Sequence, residues 1–443
     1  MQSGSPWHLP GFRPLFTANA MSHLGTDIAY VAVPLVAVTS LDAGTAQVGL
    51  LGALGTVAFV ALGLPAGVWV DRLPHHRVLI AADVSRTLVL MSVPVAWWAD
   101  VLTFTQLCVV VVLNGTATVF FTIGAQAMLP GIARADNLVA ANTVIYGLMA
   151  ASLIAGRAAG GGLVQLLGPA TAVGCAAAAY LASAQQLALI PRAAAKAAPE
   201  AEPPVRRARP LKPLRRARRV KPVRRAPDAT AHSRRNELAV GFRHVFGHPE
   251  LRPLATTVTL TNLGAQMINT VLPVLFTRGL GLPAAALGLY WALGGVGNLL
   301  GAYLARPFAA AFGYGRTLGL TGPWLAPWAL LIPLIDSGPW IFAAALGWLL
   351  ATTKMGFDNV LGISLRQART PAAMQGRMNA TVHVVFTGAM ALGSAAAGLI
   401  AHFAGIRTAL WTGGIILATA FVPIALSPIR RLTELPTATP LPG

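Results

Sequence analysis

The chain has few charged residues, and acidic ones are the rarest. Only 11% of its 443 residues are charged, against roughly a quarter in an ordinary soluble domain. Since 55% of the residues are apolar, a soluble fold of this sequence would expose large apolar areas to water. Apolar runs of about 20 residues recur, and each is long enough to cross a hydrocarbon core roughly 30 Å thick. The sequence therefore predicts a protein whose solvent is a lipid bilayer.

Cysteine and the motifs of catalysis are equally scarce. The two cysteines, Cys108 and Cys175, fall inside apolar runs, so neither a disulfide framework nor a zinc site is predicted. No Gly-x-x-x-x-Gly-Lys-Ser/Thr segment is present, so no ATP-driven step is encoded in this chain. Neither paired carboxylates nor a nucleophile elbow falls in a water-facing site. We expect no metal, no cofactor and no enzymatic activity.

Twelve apolar segments, separated by turn-like or charged stretches, predict an all-α membrane protein with twelve transmembrane helices. The first segment is long, contains Asp27 and lacks a clear cleavage site, so we interpret it as a retained helix. The approximate spans are 14–38, 46–70, 78–98, 102–126, 138–166, 170–190, 253–276, 285–305, 316–335, 339–364, 376–403 and 408–427. They predict an N-terminal tail (1–13), a six-helix bundle (14–190), a linker (191–250), a second six-helix bundle (251–428) and a C-terminal tail (429–443).

The two predicted halves resemble each other in sequence. Residues 12–36 align without gaps with residues 251–275, at an offset of 239 positions. The segment that begins at Asn142 aligns with the one that begins at Asn379, at an offset of 237. The matched glycine pairs are Gly25/Gly264, Gly156/Gly393, Gly161/Gly398 and Gly168/Gly405. A six-helix repeat preserves orientation, so we expect two parallel copies related by an axis along the membrane normal, with substrate between them.

The positive charge of the chain is concentrated in the linker. The formal net charge is +19, and 16 of the 33 Lys and Arg residues lie between Arg192 and Arg243. Cytoplasmic loops accumulate such residues, which predicts an inner-membrane protein with both termini in the cytoplasm. The simplest role of the linker is tethering and orientation, and residues 206–225 are also suited to bind anionic lipid headgroups. Residues 192–235 contain no aromatic side chain to stack on bases, so no nucleic-acid partner is expected.

The last part of the linker has a different composition. Most of the linker is rich in Ala, Pro and Arg and is expected to be disordered. Apolar residues return at Val240, Phe242, Val245 and Phe246. This spacing predicts a short amphipathic helix that lies along the membrane surface before the seventh span.

Between the second and third spans, the segment Gly67-Val-Trp-Val-Asp71-Arg72-Leu-Pro-His-His-Arg77 resembles the loop signature of the major facilitator superfamily. A second copy, Gly301-x-x-x-Ala305-Arg306, lacks the acid. The resemblance runs from about residue 12 to residue 428. Together with residues 64–72, 141–142 and 376–381, it is closest to the bacterial drug and siderophore exporters that include enterobactin and macrolide efflux proteins.

This resemblance implies roles for particular residues. Asp71 is expected to hold the cytoplasmic side shut against the start of helix eleven, near Arg377. The alternative is a generic anchor in which Arg72 and Arg77 contact lipid phosphates. Residues 156–161 resemble an antiporter signature in which Arg157 replaces a proline. The residues expected to let helices pack closely or to bond between them are Gly156, Gly160, Gly161, Gly393, Gly398, Asn142 and Asn379.

Ionisable groups inside spans are functional candidates, because a charge at the centre of a membrane helix costs at least about 2.5 kcal/mol. His23 and Asp27 lie four residues apart on one helix face, which makes them candidates for proton coupling. Asp27 has an alternative role as a structural carboxylate tied to Arg157 or Lys354. Gln266 stands at the position of Asp27 in the second half. The resemblance implies that helices one, four, seven and ten line a central cavity. The candidates for the substrate cavity are Arg157, Lys354, Asp358, Gln266 and Asn114.

Three functions follow from these expectations. The favoured one is proton-driven export of amphipathic small molecules, such as drug, macrolide or siderophore-like compounds, by a monomer. The second is import or facilitated uptake of a small nutrient by the same fold. The third is a membrane scaffold that does not transport and whose basic loop recruits partners.

Overall fold

The computed structural model describes residues 6–8, 11–132, 135–190 and 240–432. Helices make up nearly all of these ranges, and no strand occurs within them. The six helices of the first half are α1 (Phe12–Ser40), α2 (Thr45–Arg72), α3 (His75–Trp98), α4 (Phe104–Ile132), α5 (Ala135–Leu167) and α6 (Pro169–Ala188). Each one covers a predicted span, with ends that differ by a few residues.

Six further helices follow the linker. They are α7 (Leu251–Val274, then a π turn over Leu275–Gly279), α8 (Ala284–Phe312), α9 (Tyr314–Leu325, continued as 3₁₀ helix over Ala326–Leu334), α10 (Trp340–Phe357, a π turn over Asp358–Gly362, then Ile363–Arg369), α11 (Ala372–Ala404) and α12 (Ile406–Thr419, then Val422–Ala425). The second half is therefore less regular than the first.

The 3₁₀ segment of α9 has a cause in the sequence. Pro323 lies inside the α-helical part, and Pro327 and Pro333 lie inside the 3₁₀ part. Each proline lacks an N–H group and clashes with the carbonyl one turn earlier, so regular α-helical hydrogen bonding cannot continue. The span still covers Tyr314–Leu334, which is long and apolar enough to cross a membrane.

Ten helices of the described ranges are long and apolar enough to span a bilayer, and α6 and α7 are not among them. The reason is composition, since α6 combines alanine with Thr, Ser and Gln side chains and α7 carries Thr, Asn and Gln side chains. Both are nevertheless tied into their bundles. Helix α6 packs on α1 and α3, and α7 packs on α11 and α12.

The packing of the two halves follows the same scheme. In the first half α1 packs on α5 and α6, α2 on α4, and α3 on α4 and α6. In the second half α7 packs on α11 and α12, α8 on α10, and α9 on α10 and α12. These pairs are equivalent under the repeat. The two bundles meet mainly through α2 with α11 and α5 with α8, which is again one contact and its repeat copy.

The equivalence holds for individual residues. A Cβ atom added at Gly156 would lie 3.3 Å from the carbonyl oxygen of Leu24, and one added at Gly393 would lie 2.8 Å from that of Leu263. Leu24 and Leu263 are themselves repeat partners at the offset of 239. Glycine at both positions lets α5 approach α1 and α11 approach α7.

The repeat also extends to a turn. Gly168 joins α5 to α6 with φ 84° and ψ 159°, and its partner Gly405 joins α11 to α12 with φ 90° and ψ 155°. A side chain would be strained in this conformation, so both copies use glycine. The predicted all-α fold of twelve helices in two similar six-helix bundles is confirmed.

The helices end at two opposite ends of the molecule. The linker end is where α2 ends and α3 begins, where α6 ends, and where α7 starts. The far end is the opposite one, with the connections from α1 to α2 and from α7 to α8. The predicted tails and linker lie outside the described residues, except for 6–8, 11–13, 240–250 and 429–432.

Candidate functional site

A cavity of about 290 Å³ lies between the two bundles. Its lining comes from α1, α2, α3 and α4 of the first half and from α7, α8 and α11 of the second. The family resemblance implied a cavity lined by helices one, four, seven and ten. Three of these contribute, whereas α10 supplies no residue to the described lining.

The lining is mostly apolar, with a few polar groups. Aromatic surface comes from Tyr30, Phe59 and Trp291. Amide groups come from Asn114, Gln266 and Asn269. No Asp, Glu, Lys or Arg is found among the described residues that line the cavity. An apolar cleft with a small number of placed polar groups is the usual form of a small-molecule site.

One aromatic contact joins the two bundles beside this cavity. The ring of Tyr30 on α1 meets the indole of Trp291 on α8 in a T-shaped arrangement, with 5.0 Å between ring centroids. The indole N–H of Trp291 donates to Oδ1 of Asn269 at 2.9 Å. Trp291 is almost fully buried. The cavity wall is therefore held by a contact that any rearrangement of the bundles must change.

The candidate carboxylate Asp27 forms an ion pair behind this wall. Nε of Arg157, on α5, donates to Oδ1 of Asp27 at 3.4 Å, and both side chains are mostly buried, with 16% and 13% exposure. The guanidinium of Arg157 also lies over the ring of Tyr30, 4.5 Å from its centroid. His23 lies one turn earlier on α1 and is half-buried. The structure thus brings together Asp27, Arg157 and a cavity residue.

Two other candidate residues for the substrate cavity, Lys354 and Asp358, lie away from it. Lys354 and Asp358 on α10 form a buried ion pair with each other at the start of the π turn. Oδ1 of Asp358 is buried without a hydrogen-bond partner among the described residues. Neither residue lines the cavity, whereas the other two candidates, Asn114 and Gln266, do.

Sequence reasoning missed the most buried charges of the described chain. Asp83 and Arg86 on α3 form an ion pair and are 0% and 1% exposed. Ser183 on α6 donates to Asp83 Oδ2 at 2.5 Å, and Arg86 donates to Ser22 on α1 at 2.8 Å. An Asp and an Arg three residues apart inside the predicted third span were the signal that could have found the pair.

Aromatic rings complete the surroundings of this second pair. The guanidinium of Arg86 lies 4.3 Å from the ring centroid of Phe121 and 4.2 Å from that of Tyr180. The hydroxyl of Tyr180 is 3.0 Å from that of Thr26, which lines the cavity. The cluster joins α1, α3, α4 and α6, so its main effect is to fix the first bundle as a unit.

The far end of the molecule is closed by helices in close contact. A Cβ at Gly161 would lie 2.8 Å from the Cα of Gly288, and one at Gly398 would lie 2.7 Å from the Cα of Gly49. These are the crossings of α5 with α8 and of α11 with α2. Close backbone approach of this kind is what small residues permit in membrane proteins.

A polar latch lies at the same end. Nη2 of Arg278, after α7, donates to Oδ1 of Asp42 at 2.6 Å and to the carbonyl of Val38 at 2.8 Å. Asp42 and Val38 belong to the first half, so the latch crosses the bundle interface. Asp42 is almost fully exposed, and an exposed pair contributes about 0–1 kcal/mol.

No comparably close crossing between the two bundles is found among the described residues of the linker end. A Cβ at Gly67 on α2 or at Gly376 on α11 would meet no atom of the described residues within 4 Å. The arginines that were predicted to take part in gating are all exposed at this end. They are Arg72, Arg77, Arg306 and Arg377. The side chain of Asp71 lies outside the described residues. Asn142 is half-buried near the start of α5, and its repeat partner Asn379 is exposed.

A short helix over residues 240–247 lies at the linker end before α7. Its Val245 is buried in a cluster with Leu251, Ala255 and Met378, which joins the starts of α7 and α11. A Cβ at Gly241 would lie 2.9 Å from the carbonyl oxygen of Arg377. The helix is therefore packed on the second bundle. The basic stretch 206–225, predicted to bind lipid, lies outside the described residues.

Glu250 and Arg369 add a second tie at the same end. Arg369, at the end of α10, donates from Nε and Nη2 to the two carboxylate oxygens of Glu250 at 2.5 and 2.8 Å. Such a two-bond pair is geometrically specific. No group of three His, Cys, Asp or Glu side chains suited to a metal ion is found in the part of the chain that the structure describes.

The sequence and the structure were compared with known proteins. The family model described as Major Facilitator Superfamily matches residues 15–357. An uncharacterized MFS-type transporter, y4rN of Sinorhizobium fredii, is 24% identical over 440 residues, which covers 98% of this chain and 97% of that protein. The enterobactin exporter EntS of Citrobacter koseri is 26% identical over 436 residues, covering 96% of this chain and 94% of EntS.

Solved structures are similar in fold. A bacterial homologue of the lysosomal transporter Spinster, inward-facing and occupied, superposes with a TM-score of 0.70 at 13% identity, covering 95% of this chain and 96% of that one. A bacterial homologue of the iron transporter ferroportin in an inward-facing state gives 0.69 at 15% identity, with 94% and 98% covered. At this identity the likeness shows the fold alone.

Proposed function

Because the chain belongs to the major facilitator superfamily and is one of its transporters rather than an enzyme, we propose that it exports amphipathic small molecules in exchange for protons. The observation that carries the proposal is the cavity between two similar bundles, mostly apolar and lined from both halves. Such a site can be opened to either side when the bundles rock against each other. The similarity to an enterobactin exporter supports the outward direction.

The distribution of charge supports one orientation. The described helix ends and connections at the linker end carry Arg72, Arg77, Arg306, Arg430 and Arg431, with the acid Glu250. Those at the far end carry three acids, Asp42, Asp100 and Asp336, and fewer cations. Since positive residues accumulate on the cytoplasmic side, the linker end belongs in the cytoplasm of a bacterial inner membrane. In that orientation the cavity is closed towards the outside.

In the other conformation of the transport cycle, the far end would be open and the linker end would be closed. Since no described atom lies within 4 Å of a Cβ at Gly67 or Gly376, we expect α2 and α11 to approach each other more closely at these glycines in that state. The loop signature supports a gate at this point, with the carboxylate of Asp71 facing the start of α11 near Arg377. A carboxylate is favoured at a helix N-terminus by the free N–H groups and the dipole. Opening of the far end in the same step would separate Gly161 from Gly288 and Gly49 from Gly398.

Asp27 is the proposed site of proton coupling. As a carboxylate it holds Arg157 across the crossing of α1 and α5. A proton on Asp27 removes that charge and releases the guanidinium, which also contacts the cavity residue Tyr30. The ion pair and the contact of Tyr30 with Trp291, which joins the two bundles at the cavity wall, would then change together. This arrangement couples protonation to a change in the cavity.

The test is an antiport assay in everted membrane vesicles. Respiration acidifies the vesicle interior, a pH-sensitive acridine dye reports the gradient, and compounds from an amphipathic panel are added. We expect part of the gradient to collapse with the unchanged protein and with D100N, and no collapse with D27N. Asp100 is exposed at the far end with φ 56°, which asparagine also tolerates, so D100N is a matched control.

The outcomes separate the remaining functions. Accumulation in right-side-out vesicles but not in everted ones would indicate an importer instead. Gradient collapse by D27N equal to that of the unchanged protein would refute Asp27 as the coupling residue. If no compound of the panel moves in either vesicle type, the transport proposal is wrong. Deletion of residues 196–232 is expected to leave transport intact.

A further inference from the structure

We infer that the cavity selects compact, uncharged aromatic molecules with a hydrogen-bond donor, and that Asn114 accepts the hydrogen bond from that donor. The inference rests on the proposed transport function and specifies its substrate class. It is carried by three features of the cavity. They are the absence of charge in its described lining, one buried acceptor without a partner, and aromatic rings from both bundles.

The first feature is the uncharged lining. None of the described lining residues is ionised at neutral pH. A charged ligand would lose its hydration there without gaining a counter-charge, which strongly disfavours binding. The nearest ion pair, Asp27 with Arg157, is internally neutralised, and the ring of Tyr30 lies against the guanidinium of Arg157. The cavity is therefore suited to a neutral molecule.

The second feature is Asn114 on α4. Its Oδ1 is buried and has no hydrogen-bond partner among the described residues. Buried polar atoms are nearly always paired, so an unpaired one inside a cavity indicates a ligand or a water. Asn114 is among the residues that line the cavity, together with Tyr30, Phe59 and Trp291.

Other polar groups of the lining are already engaged. Gln266 Nε2 donates to the hydroxyl of Ser394 at 3.0 Å. Asn269 Oδ1 accepts from Trp291 at 2.9 Å, and the hydroxyl of Thr118 donates to the carbonyl oxygen of Asn114 at 2.7 Å. Asn269 Oδ1 has thus used accepting capacity, whereas Asn114 Oδ1 is buried without a partner among the described residues. A ligand N–H or O–H would pair with it.

The third feature is aromatic surface at a limited volume. Phe59 and Tyr30 from the first bundle and Trp291 from the second border the space. Aromatic ligands pack favourably on such rings in edge-to-face or offset geometry. A cavity of about 290 Å³ lies at the lower end of small-molecule sites. A flat molecule of two or three rings suits this shape.

The inference is tested by equilibrium binding to the full chain in nanodiscs, with empty nanodiscs subtracted. The probes share one arylamine scaffold. N-phenyl-1-naphthylamine is neutral with an N–H donor, its N-methyl derivative lacks the donor, and 8-anilino-1-naphthalenesulfonate adds a negative charge. We expect the neutral donor to bind at least about tenfold more tightly than the sulfonate. It should also bind about two- to tenfold more tightly than the N-methyl derivative.

Variants of α4 assign the effect to Asn114. N114L keeps the side-chain shape without the amide, and it should bind the neutral donor and its N-methyl derivative equally. T116V is the matched control, because the hydroxyl of Thr116 bonds to the carbonyl of Val112 and does not line the described cavity. N114D should lose affinity for the sulfonate and gain affinity for a naphthylmethyl-trimethylammonium cation.

Several results would overturn the inference. Tight binding of the sulfonate, no measurable binding of the neutral donor, or donor selectivity that persists in N114L would each do so. The comparison of probes on the unchanged protein does not depend on how any variant folds. Antiport with other compounds of the vesicle panel would show that the transport proposal stands even when this substrate class is wrong.

Discussion

The close crossing of α5 and α8 at the far end gives the sharpest prediction, because a single methyl group should disturb it. A Cβ atom added at Gly161 would lie 2.8 Å from both the carbonyl oxygen of Ala284 and the Cα of Gly288. Ordinary van der Waals contact begins at 3.4 Å, so in G161A the two helices must separate by about 1 Å, as overpacked interfaces do. The far-end-closed state should therefore be disfavoured.

The magnitude follows from the same geometry. Overpacking of this kind costs about 1–3 kcal/mol, and the cost applies only to the state in which α5 and α8 touch. The equilibrium should shift from closed to open at the far end by about 5- to 150-fold. Gly162 is the adjacent residue on α5, and a Cβ there would meet no atom within 4 Å. G162A shares the gain in helix propensity, up to about 1 kcal/mol, so the difference between the variants isolates the contact.

Distances between spin labels measure the shift. With Cys108 and Cys175 replaced by serine, V101C and S337C place labels on exposed positions of the two bundles at the far end. G161A should lengthen the distance between them, whereas G162A should leave the distribution unchanged. G398A, at the repeat-related crossing, should act like G161A. Equal distributions for G161A and G162A would refute the idea that this crossing closes the far end.

Three further predictions concern buried or partly buried groups. R86M should lower the melting temperature strongly, because removal of one partner from a buried ion pair costs about 3–5 kcal/mol. The double variant D83N/R86M should lose less than the separate losses add up to, and full additivity would contradict the pairing. R369Q should weaken the tie to Glu250 and speed amide exchange at the start of α7; unchanged exchange would show that the pair contributes nothing. The pKa of His248 is lowered from its ordinary value, mainly because burial disfavours the charged form. Its stabilising contribution is therefore complete above the ordinary pKa and is lost progressively as pH falls from that value through the lowered one. Amides of helix 240–247 should therefore have lower protection factors at pH 5.5 than at pH 7.5, once each rate is divided by the intrinsic rate at its pH. H248N should remove this pH dependence.

The sequence predicted the fold well because the fold depends on features that read along the chain. The lengths of the apolar segments located the helices, since each span must match the thickness of a bilayer. Two constant offsets revealed the repeat, and Gly156 and Gly393 turned out to make equivalent contacts. The change from α to 3₁₀ in α9 was not predicted, although Pro327 and Pro333 indicate it in retrospect.

The site was harder to derive, because it is formed by residues far apart in sequence. Asn114 and Gln266 line one cavity only because the two bundles face each other. The partner of Asp27 was one of two alternatives until the crossing of α1 and α5 brought Arg157 to it. Asp83 and Arg86 lie three residues apart within α3, but only the packing of α1, α4 and α6 around them excludes water.

The sequence by itself thus determined that this chain lies in a membrane, that it consists of two similar halves, and which loops carry the positive charge. The length of apolar segments, the internal repeat and the distribution of charge are local or periodic properties of the chain, so they can be read from the sequence alone. Tertiary structure alone decided which residue of another helix pairs with Asp27, which residues of the two halves line one cavity, and which end has the close helix crossings. Those outcomes depend on distances of a few ångströms between helices, and no spacing along a single helix encodes them.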